Sequence, residues 1–135
     1  MAKELSDLQQ KRLEMSLFLL RLGVFIVMIA WTLDKFIAPE HAIRVYENFY
    51  YISGLGSTIM MIIGVIELII ILAFLAGLWK TYSYGFVMIV HAVSTLSSWD
   101  RYIIDINLLF FAAWPMLAAC VALFLLRDLD VKFTL

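Results

Sequence analysis

Four long runs of apolar residues dominate the hydropathy pattern of this chain, and short polar segments separate them. A helix needs around 20 residues to cross a hydrocarbon core of about 30 Å. The four runs cover residues 15–36, 55–79, 83–98 and 103–126. The third is the shortest, because serine and threonine dilute its second half. The pattern predicts an all-α fold, an integral membrane four-helix bundle that forms a single domain over residues 1–135.

The longest connection, residues 37–54, has a helical pattern of its own. Ile43, Tyr46 and Tyr50 follow the i, i+3, i+7 spacing of one helix face, and charged residues lie between them. This spacing predicts a short amphipathic helix in the first outer loop, on the surface of the outer leaflet. Such a helix would be either a connector that covers helix ends or a lid over an entrance from the membrane.

Composition excludes several classes of protein. Hydrophobic residues make up 64% of the chain and charged residues 16%, whereas a soluble domain has about 45 to 50% apolar and about 25% charged residues. A soluble domain of this size and composition would expose large apolar patches and aggregate. The net charge of −1 and the lack of a basic cluster predict no nucleic-acid partner. We expect membrane lipids as neighbours, together with other membrane subunits or further copies of the chain.

The basic residues outside the predicted spans are unevenly distributed. On the side of the amino terminus they are Lys3, Lys11, Arg12, Lys80, Arg127 and Lys132, and on the other side they are Lys35, Arg44 and Arg101. Because basic residues concentrate in cytoplasmic loops, this asymmetry predicts that both termini are cytoplasmic.

The cysteine and histidine content is low. Cys120 is the single cysteine, so no intrachain disulfide can form. His41 and His91 have no neighbouring ligands at the spacing of a metal site. The sequence therefore implies neither metal nor disulfide chemistry.

Three ionisable residues, Arg21, Glu67 and His91, fall inside the predicted spans, where a charge costs about 2.5 to 3.5 kcal/mol. Helical spacing places Arg21 on one stripe with Met28, Thr32 and Lys35. We expect the polar faces of the helices to turn inward and to bring Arg21, Glu67 and His91 together.

Several roles remain open for these residues. Arg21 could instead extend to the cytoplasmic headgroups. Glu67 would be protonated, paired with Arg21 or His91, or hydrogen-bonded to serine and threonine, and a buried pair could be purely structural. The fourth span adds Asp105 and Asn107 as candidate ligand-binding residues, and a proline near its centre, Pro115, predicts a kink.

Two short motifs resemble the DoxX-like family of small four-helix membrane proteins. Leu-Arg-Leu-Gly at 20–23 is followed by Asp-Lys-Phe at 34–36, and Gly-Val-Ile-Glu at 64–67 is followed by Gly-Leu-Trp-Lys-Thr at 77–81. The resemblance covers roughly residues 17–126. It implies a left-handed four-helix bundle in the bacterial inner membrane, with Arg21, Lys35 and Glu67 at family-type positions. It also implies an association with quinone, sulfur-compound or oxidative-stress chemistry.

The leading hypothesis is a membrane subunit that binds a lipophilic ligand such as a quinone. Glu67 and His91 would handle protons, as the catalytic residues of any such reaction, and Arg21, Lys35, Asp105 and Asn107 would complete the ligand site. We expect any oxidoreductase activity to be quinone-linked and to depend on a partner, because the chain is not self-sufficient.

Two alternatives stand beside this hypothesis. One is a non-catalytic accessory subunit or assembly factor of a larger membrane complex, in which an ion pair between Arg21 and Glu67 is only structural. The other is a small proton-coupled exporter, which is disfavoured because a positive charge near Glu67 would hold it ionised and repel cations.

Overall fold

The computed structural model describes residues 4–135, and within this range it contains helices and no strand. The α-helices are α1 (Asp7–Ile37), α2 (Pro39–Phe49), α3 (Ser57–Ala76), α4 (Lys80–Ser97), α5 (Asp100–Ile103) and α6 (Ala113–Leu125). Short 3₁₀ helices cover Leu108–Ala112 and Arg127–Leu129. The all-α prediction is confirmed. Lys3, one of the basic residues counted above, lies outside the described residues.

Three helical stretches within the described residues are long and apolar enough to cross a membrane. They are Asp7–Ile37, Ser57–Ala76 and Leu108–Leu125. Each coincides with a predicted span, so the chain has the helices of a membrane protein. The third predicted span corresponds to α4, which has 18 residues but is more polar, because it contains a lysine, a histidine, two tyrosines and several hydroxyl residues.

Capping residues explain where the first long helix begins. It starts at Asp7, earlier than the apolar pattern predicts, because Ser6 and Gln9 form a reciprocal capping box. The Ser6 hydroxyl accepts from the Gln9 amide at 3.2 Å, and the Gln9 side chain accepts from the Ser6 amide at 2.9 Å. These contacts satisfy two otherwise unpaired groups at the helix start.

The fourth predicted span begins later than expected. Residues 104–107 form a turn, and the Asn107 side chain then accepts from the Leu109 amide at 3.1 Å to start the 3₁₀ helix. Pro115 lies in the first turn of α6, where its missing N–H has no intrahelical partner to lose. The prediction of a proline kink near the middle of a helix is therefore wrong, because the α-helix begins only two residues before Pro115.

The closely packed core lies in one half of the molecule. α1 packs chiefly on α3, and α4 packs chiefly on α6. The core side chains are Leu17, Val24, Met28, Ile71, Phe74, Tyr84, Val87, Cys120 and Leu123. On α1 these positions lie around the middle of the helix, and on α3, α4 and α6 they adjoin the end where residues 126–135 lie. We call this stretch the closing segment, and we call the opposite end of the molecule the α2 end.

The closing segment is held by a buried ion pair. Arg21 and Asp130 have completely buried side chains, and Arg21 Nη1 lies 3.0 Å from Asp130 Oδ1. The Tyr84 hydroxyl donates to Asp130 Oδ2 at 2.6 Å, and Arg21 Nη2 donates to the Lys132 carbonyl at 2.6 Å. Lys80 Nζ donates to the Asp130 carbonyl at 2.6 Å. Side chains from α1 and α4 thus anchor the segment beneath the core.

A glycine lets the closing segment approach α3. Gly77 ends α3 with a φ of +71°, a conformation that favours glycine. A Cβ atom at this position would lie 2.5 Å from Thr134 Cγ2. The Leu135 amide donates to the Ala76 carbonyl at 2.8 Å, which closes the contact. A larger residue at Gly77 would force the segment away.

Replacing Asp130 by asparagine should destabilise the protein strongly, because the change leaves the Arg21 guanidinium buried without a counter-charge. Loss of one partner of a buried pair costs about 3 to 5 kcal/mol. Thermal or denaturant unfolding in detergent measures this loss. Asp128→Asn is the matched control, since Asp128 is exposed and lies two residues away. Equal stability of the two variants would contradict the assigned role of the pair.

Candidate functional site

A cavity of about 1030 Å³ occupies the α2 end of the molecule, beyond the packed core. Side chains from α1, α2, α4, α6 and the loop regions line it, and α3 contributes Glu67. Most of the lining residues are apolar. Pockets for small ligands measure about 300 to 1000 Å³ and are mainly apolar with a few polar groups. The cavity is therefore large enough for a small lipophilic molecule.

The rim of the cavity lies on the outer surface of the helices. Trp31 and Val27 of α1 and Ile89 and Val93 of α4 all line the cavity, yet they are 38 to 59% exposed. These apolar positions belong to the face that a bilayer would cover. An apolar molecule dissolved in lipid could reach the cavity by this route without crossing a polar surface.

The most buried charges of the cavity wall are Lys35 and Glu67. Lys35 Nζ lies 2.9 Å from Glu67 Oε2, and the two side chains are 7 and 8% exposed. Lys35 Nζ also donates to the Trp31 carbonyl at 3.4 Å. The pair is thus a close ionic contact, and the Glu67 carboxylate has room to accept a further hydrogen bond from a ligand.

Close helix packing brings this pair together. Gly64 lies one turn before Glu67, and a Cβ atom there would lie 2.8 Å from Phe36 Cζ and 3.3 Å from Lys35 Cβ. The absence of a side chain allows α1 and α3 to approach closely at this level. The Asp-Lys-Phe and Gly-Val-Ile-Glu motifs are therefore in contact. The glycine allows the close approach, and the lysine and glutamate form the ion pair.

Tyr46 of α2 faces the same ion pair. Lys35 Nζ lies 5.9 Å from the centre of the Tyr46 ring. Burial raises the pKa of the Tyr46 phenol to about 12, and the nearby Glu67 carboxylate and Tyr50 add to the shift. The phenol is therefore neutral at physiological pH, and it contributes a hydrogen-bond donor to the cavity wall.

His91 links the cavity wall to α6. Its Nε2 lies 2.9 Å from the Ala113 carbonyl. A carbonyl only accepts, so Nε2 carries a proton, and in the neutral form of the ring Nδ1 then keeps a lone pair. Ser94 and Ser97 follow His91 along the cavity wall, and their hydroxyls donate to no other described residue. His91, Ser94 and Ser97 thus supply both acceptor and donor groups.

The structure separates the charges that the sequence was expected to bring together. Arg21 pairs with Asp130 and Glu67 pairs with Lys35, so the expected Arg21 to Glu67 pairing is wrong. Lys35 is level with Gly64, and α1 runs antiparallel to α3. At 1.5 Å per residue, Arg21 therefore lies roughly 17 Å along the bundle from Glu67. Arg21 is fully buried, so it does not extend to the headgroups either.

Two other candidate residues lie away from the cavity wall. Asp105 forms an ion pair with Arg101 at 2.8 Å, and its side chain is 78% exposed. Asn107 caps the 3₁₀ helix. Neither is among the residues that line the cavity. Of the six candidate site residues, the cavity wall brings together Lys35, Glu67 and His91.

Sequence reasoning missed Asp130, which lies outside the predicted spans. A buried arginine needs a carboxylate, and the closing segment offers Asp128 and Asp130 on the same side of the molecule. Asp130 also lies between Leu129 and Val131. These apolar neighbours indicate that Asp130 is buried, but the helical periodicity of the predicted spans does not include them.

Within the described residues, no group of three or more His, Cys, Asp and Glu side chains could hold a metal ion.

A double-mutant cycle distinguishes the two possible partners of Glu67. Lys35→Gln and Glu67→Gln should each destabilise the fold, and the double variant should recover part of the loss, a coupling of about 0.5 to 3 kcal/mol. Arg21→Gln combined with Glu67→Gln should instead be additive, because the side chains do not meet. Unfolding in detergent measures all five variants. Coupling in the second cycle and additivity in the first would contradict the observed pairing.

No family model, curated protein or solved structure matches this chain. The likeness to DoxX-like proteins therefore depends on the short motifs themselves. The residues of those motifs fall at the Lys35–Glu67 pair, the Gly64 contact, the Arg21–Asp130 pair and the Gly77 turn.

Proposed function

We propose that this protein is a multi-pass membrane subunit whose cavity binds a lipophilic ligand taken from the bilayer. The observation that carries the proposal is a large, mainly apolar cavity that contains the Lys35–Glu67 pair and His91 and has an apolar rim. A ligand for such a site needs a long apolar surface and a small polar part. A quinone meets this requirement, and it is the ligand class that the DoxX-like resemblance implies.

The cavity wall supplies groups that suit the polar part of a quinone. Ser94, Ser97 and the neutral Tyr46 can donate hydrogen bonds, while His91 Nδ1 and Glu67 Oε2 can accept them. His91 and Glu67 are therefore the residues that we assign to proton handling. Arg21 has no part in this assignment, because its network with Asp130 lies at the other end of the core.

The proposal includes a four-helix bundle in the bacterial inner membrane, with α4 as the fourth crossing. Its polar residues would face the cavity and α6, as His91 does, and not the lipid. α2 would lie at the outer surface. Its Ala42, Val45, Tyr46 and Phe49 line the cavity, and charged residues occupy the opposite face. This arrangement favours a lid over the cavity rather than a connector alone.

One observation favours an accessory subunit as a second candidate function. Around the turn at 104–107, large apolar side chains are 62 to 84% exposed: Ile103, Ile104, Ile106, Leu108 and Leu109. A cluster of exposed large apolar side chains on a protein surface marks an interaction site. A neighbouring membrane subunit would cover these apolar side chains.

Purification of the native complex tests this function. Changing Ile104 and Ile106 to serine should cause the loss of a stoichiometric partner that copurifies with the unchanged protein.

A cavity-filling variant tests ligand binding. Gly23 lines the cavity, and a Cβ atom at this position meets nothing within 4 Å. Gly23→Trp should occupy part of the cavity without disturbing the core, and it should weaken binding of decylubiquinone, a short-chain quinone, by about tenfold or more. Affinity is measured on the purified protein by native mass spectrometry.

Gly23→Ala is the matched control, because it adds only a methyl group and should bind the quinone as the unchanged protein does. His91→Gln can keep the hydrogen bond to the Ala113 carbonyl while removing the imidazole. It should remain folded and lose quinone-linked activity in the native complex. Unchanged quinone affinity in a folded Gly23→Trp variant would exclude the cavity as the ligand site.

Cysteine accessibility tests the orientation. In a Cys120→Ala background, Asn48→Cys on α2 should react with an impermeant maleimide in intact cells, because the α2 end would face outward. Asp128→Cys in the closing segment should react only after the cells are permeabilised. Both positions are exposed, so accessibility reports the side of the membrane. The reverse pattern of labelling would overturn the orientation.

A further inference from the structure

The two ends of the cavity differ in polarity. At the α2 end the wall contains Asp34, Lys35 and Glu67, and the hydroxyls of Ser94 and Ser97. Toward the core the wall is apolar, with Leu19, Leu20, Gly23, Val24 and Ala119. An amphiphile bound here would therefore place its headgroup at the α2 end and its chain toward the core.

The ionisable side chains of Asp34, Lys35 and Glu67 at the polar end already have partners. Lys35 lies 2.9 Å from Glu67, and Asp34 Oδ2 lies 2.6 Å from His41 Nδ1. His91, the one histidine among the described residues of the wall, donates from Nε2 to a carbonyl. Among the described residues that line the cavity, no cation is left without an anionic neighbour. A charged headgroup would have to displace one member of an existing pair.

We propose, on the basis of the function given above, that the cavity selects amphiphiles with an uncharged headgroup that carries oxygen atoms. An anionic headgroup would compete with Glu67 for Lys35, and the displaced carboxylate would remain in a poorly hydrated site. A cationic headgroup would compete with Lys35 for Glu67, and the displaced ammonium group would remain in the same poorly hydrated site. An uncharged headgroup can instead hydrogen-bond to Ser94, Ser97 and His91 without disturbing the Lys35–Glu67 pair.

Three probes with the same pair of octanoyl chains test this selectivity. They are dioctanoylglycerol, which is uncharged, dioctanoyl phosphatidate, which is anionic, and dioctanoyl trimethylammonium-propane, which is cationic. Native mass spectrometry of the purified full chain in an uncharged detergent gives the three affinities. We expect dioctanoylglycerol to bind at least about tenfold more tightly than either charged probe.

Substitutions in the ion pair should change the selectivity in opposite directions. Glu67→Gln leaves Lys35 unpaired and should raise the affinity for the anionic probe by about tenfold, whereas Lys35→Gln should do the same for the cationic probe. Because both residues lie at the α2 end, these changes also locate the headgroup there. Asp105→Asn is the matched control, since Asp105 is exposed and away from the cavity, and it should leave all three affinities unchanged.

The double variant Lys35→Gln with Glu67→Gln guards against a folding defect in the single variants, because it removes both charges and should keep the preference for dioctanoylglycerol. Preferential binding of a charged probe to the unchanged protein would overturn the inference and leave the proposed ligand site standing. Selectivity that does not respond to either single substitution would also overturn it. Failure of all three probes to bind, while decylubiquinone still binds, would overturn this inference, whereas failure of decylubiquinone to bind as well would overturn the proposed function itself.

Discussion

A guanidinium group in the middle of an apolar helix constrains the whole molecule. Arg21 is completely buried, and it needs a counter-charge and acceptors for its remaining N–H groups. Asp130 supplies the charge, and the Lys132 and Phe133 carbonyls accept from Nη2 at 2.6 and 3.3 Å. The closing segment must therefore fold against the helices. Its docking explains why the tightest packing occurs at this end.

The opposite end of the helices is organised by a different pair of charges. Lys35 and Glu67 lie where the helices enclose a cavity instead of a core. Because Gly64 has no side chain, the Phe36 ring packs against it, and α1 and α3 can approach closely at this level. The two buried ion pairs thus involve separate residues and make no direct contact with each other. One satisfies a structural arginine, whereas the other lines a space large enough for a ligand. The polar positions of α1 therefore have two different roles: Arg21 anchors the closing segment, and Lys35 lines the cavity.

Hydropathy predicted the helical elements well, because three apolar stretches needed nothing beyond their own composition. It also placed Arg21 and Lys35 on one buried face of α1. It could not predict the pairing, since the partner of Glu67 depends on the register of α1 against α3, which Gly64 determines. Asp130 lay outside every span, and the turn before Leu108 depends on Asn107 and on local hydrogen bonds. Contacts between distant segments decide these details, and a single sequence does not display them.

The distance along the chain between Arg21 and its acceptors has a consequence for biosynthesis. The Lys132 carbonyl lies 111 positions after Arg21. Because chains emerge from the ribosome with their amino-terminal part first, α1 enters the membrane long before its counter-ion exists. During that interval Arg21 is an uncompensated charge, which favours a shallow or tilted α1 until the closing segment is made. Docking of the closing segment would then draw α1 to its final depth, so that a chain without this segment would not reach the mature arrangement.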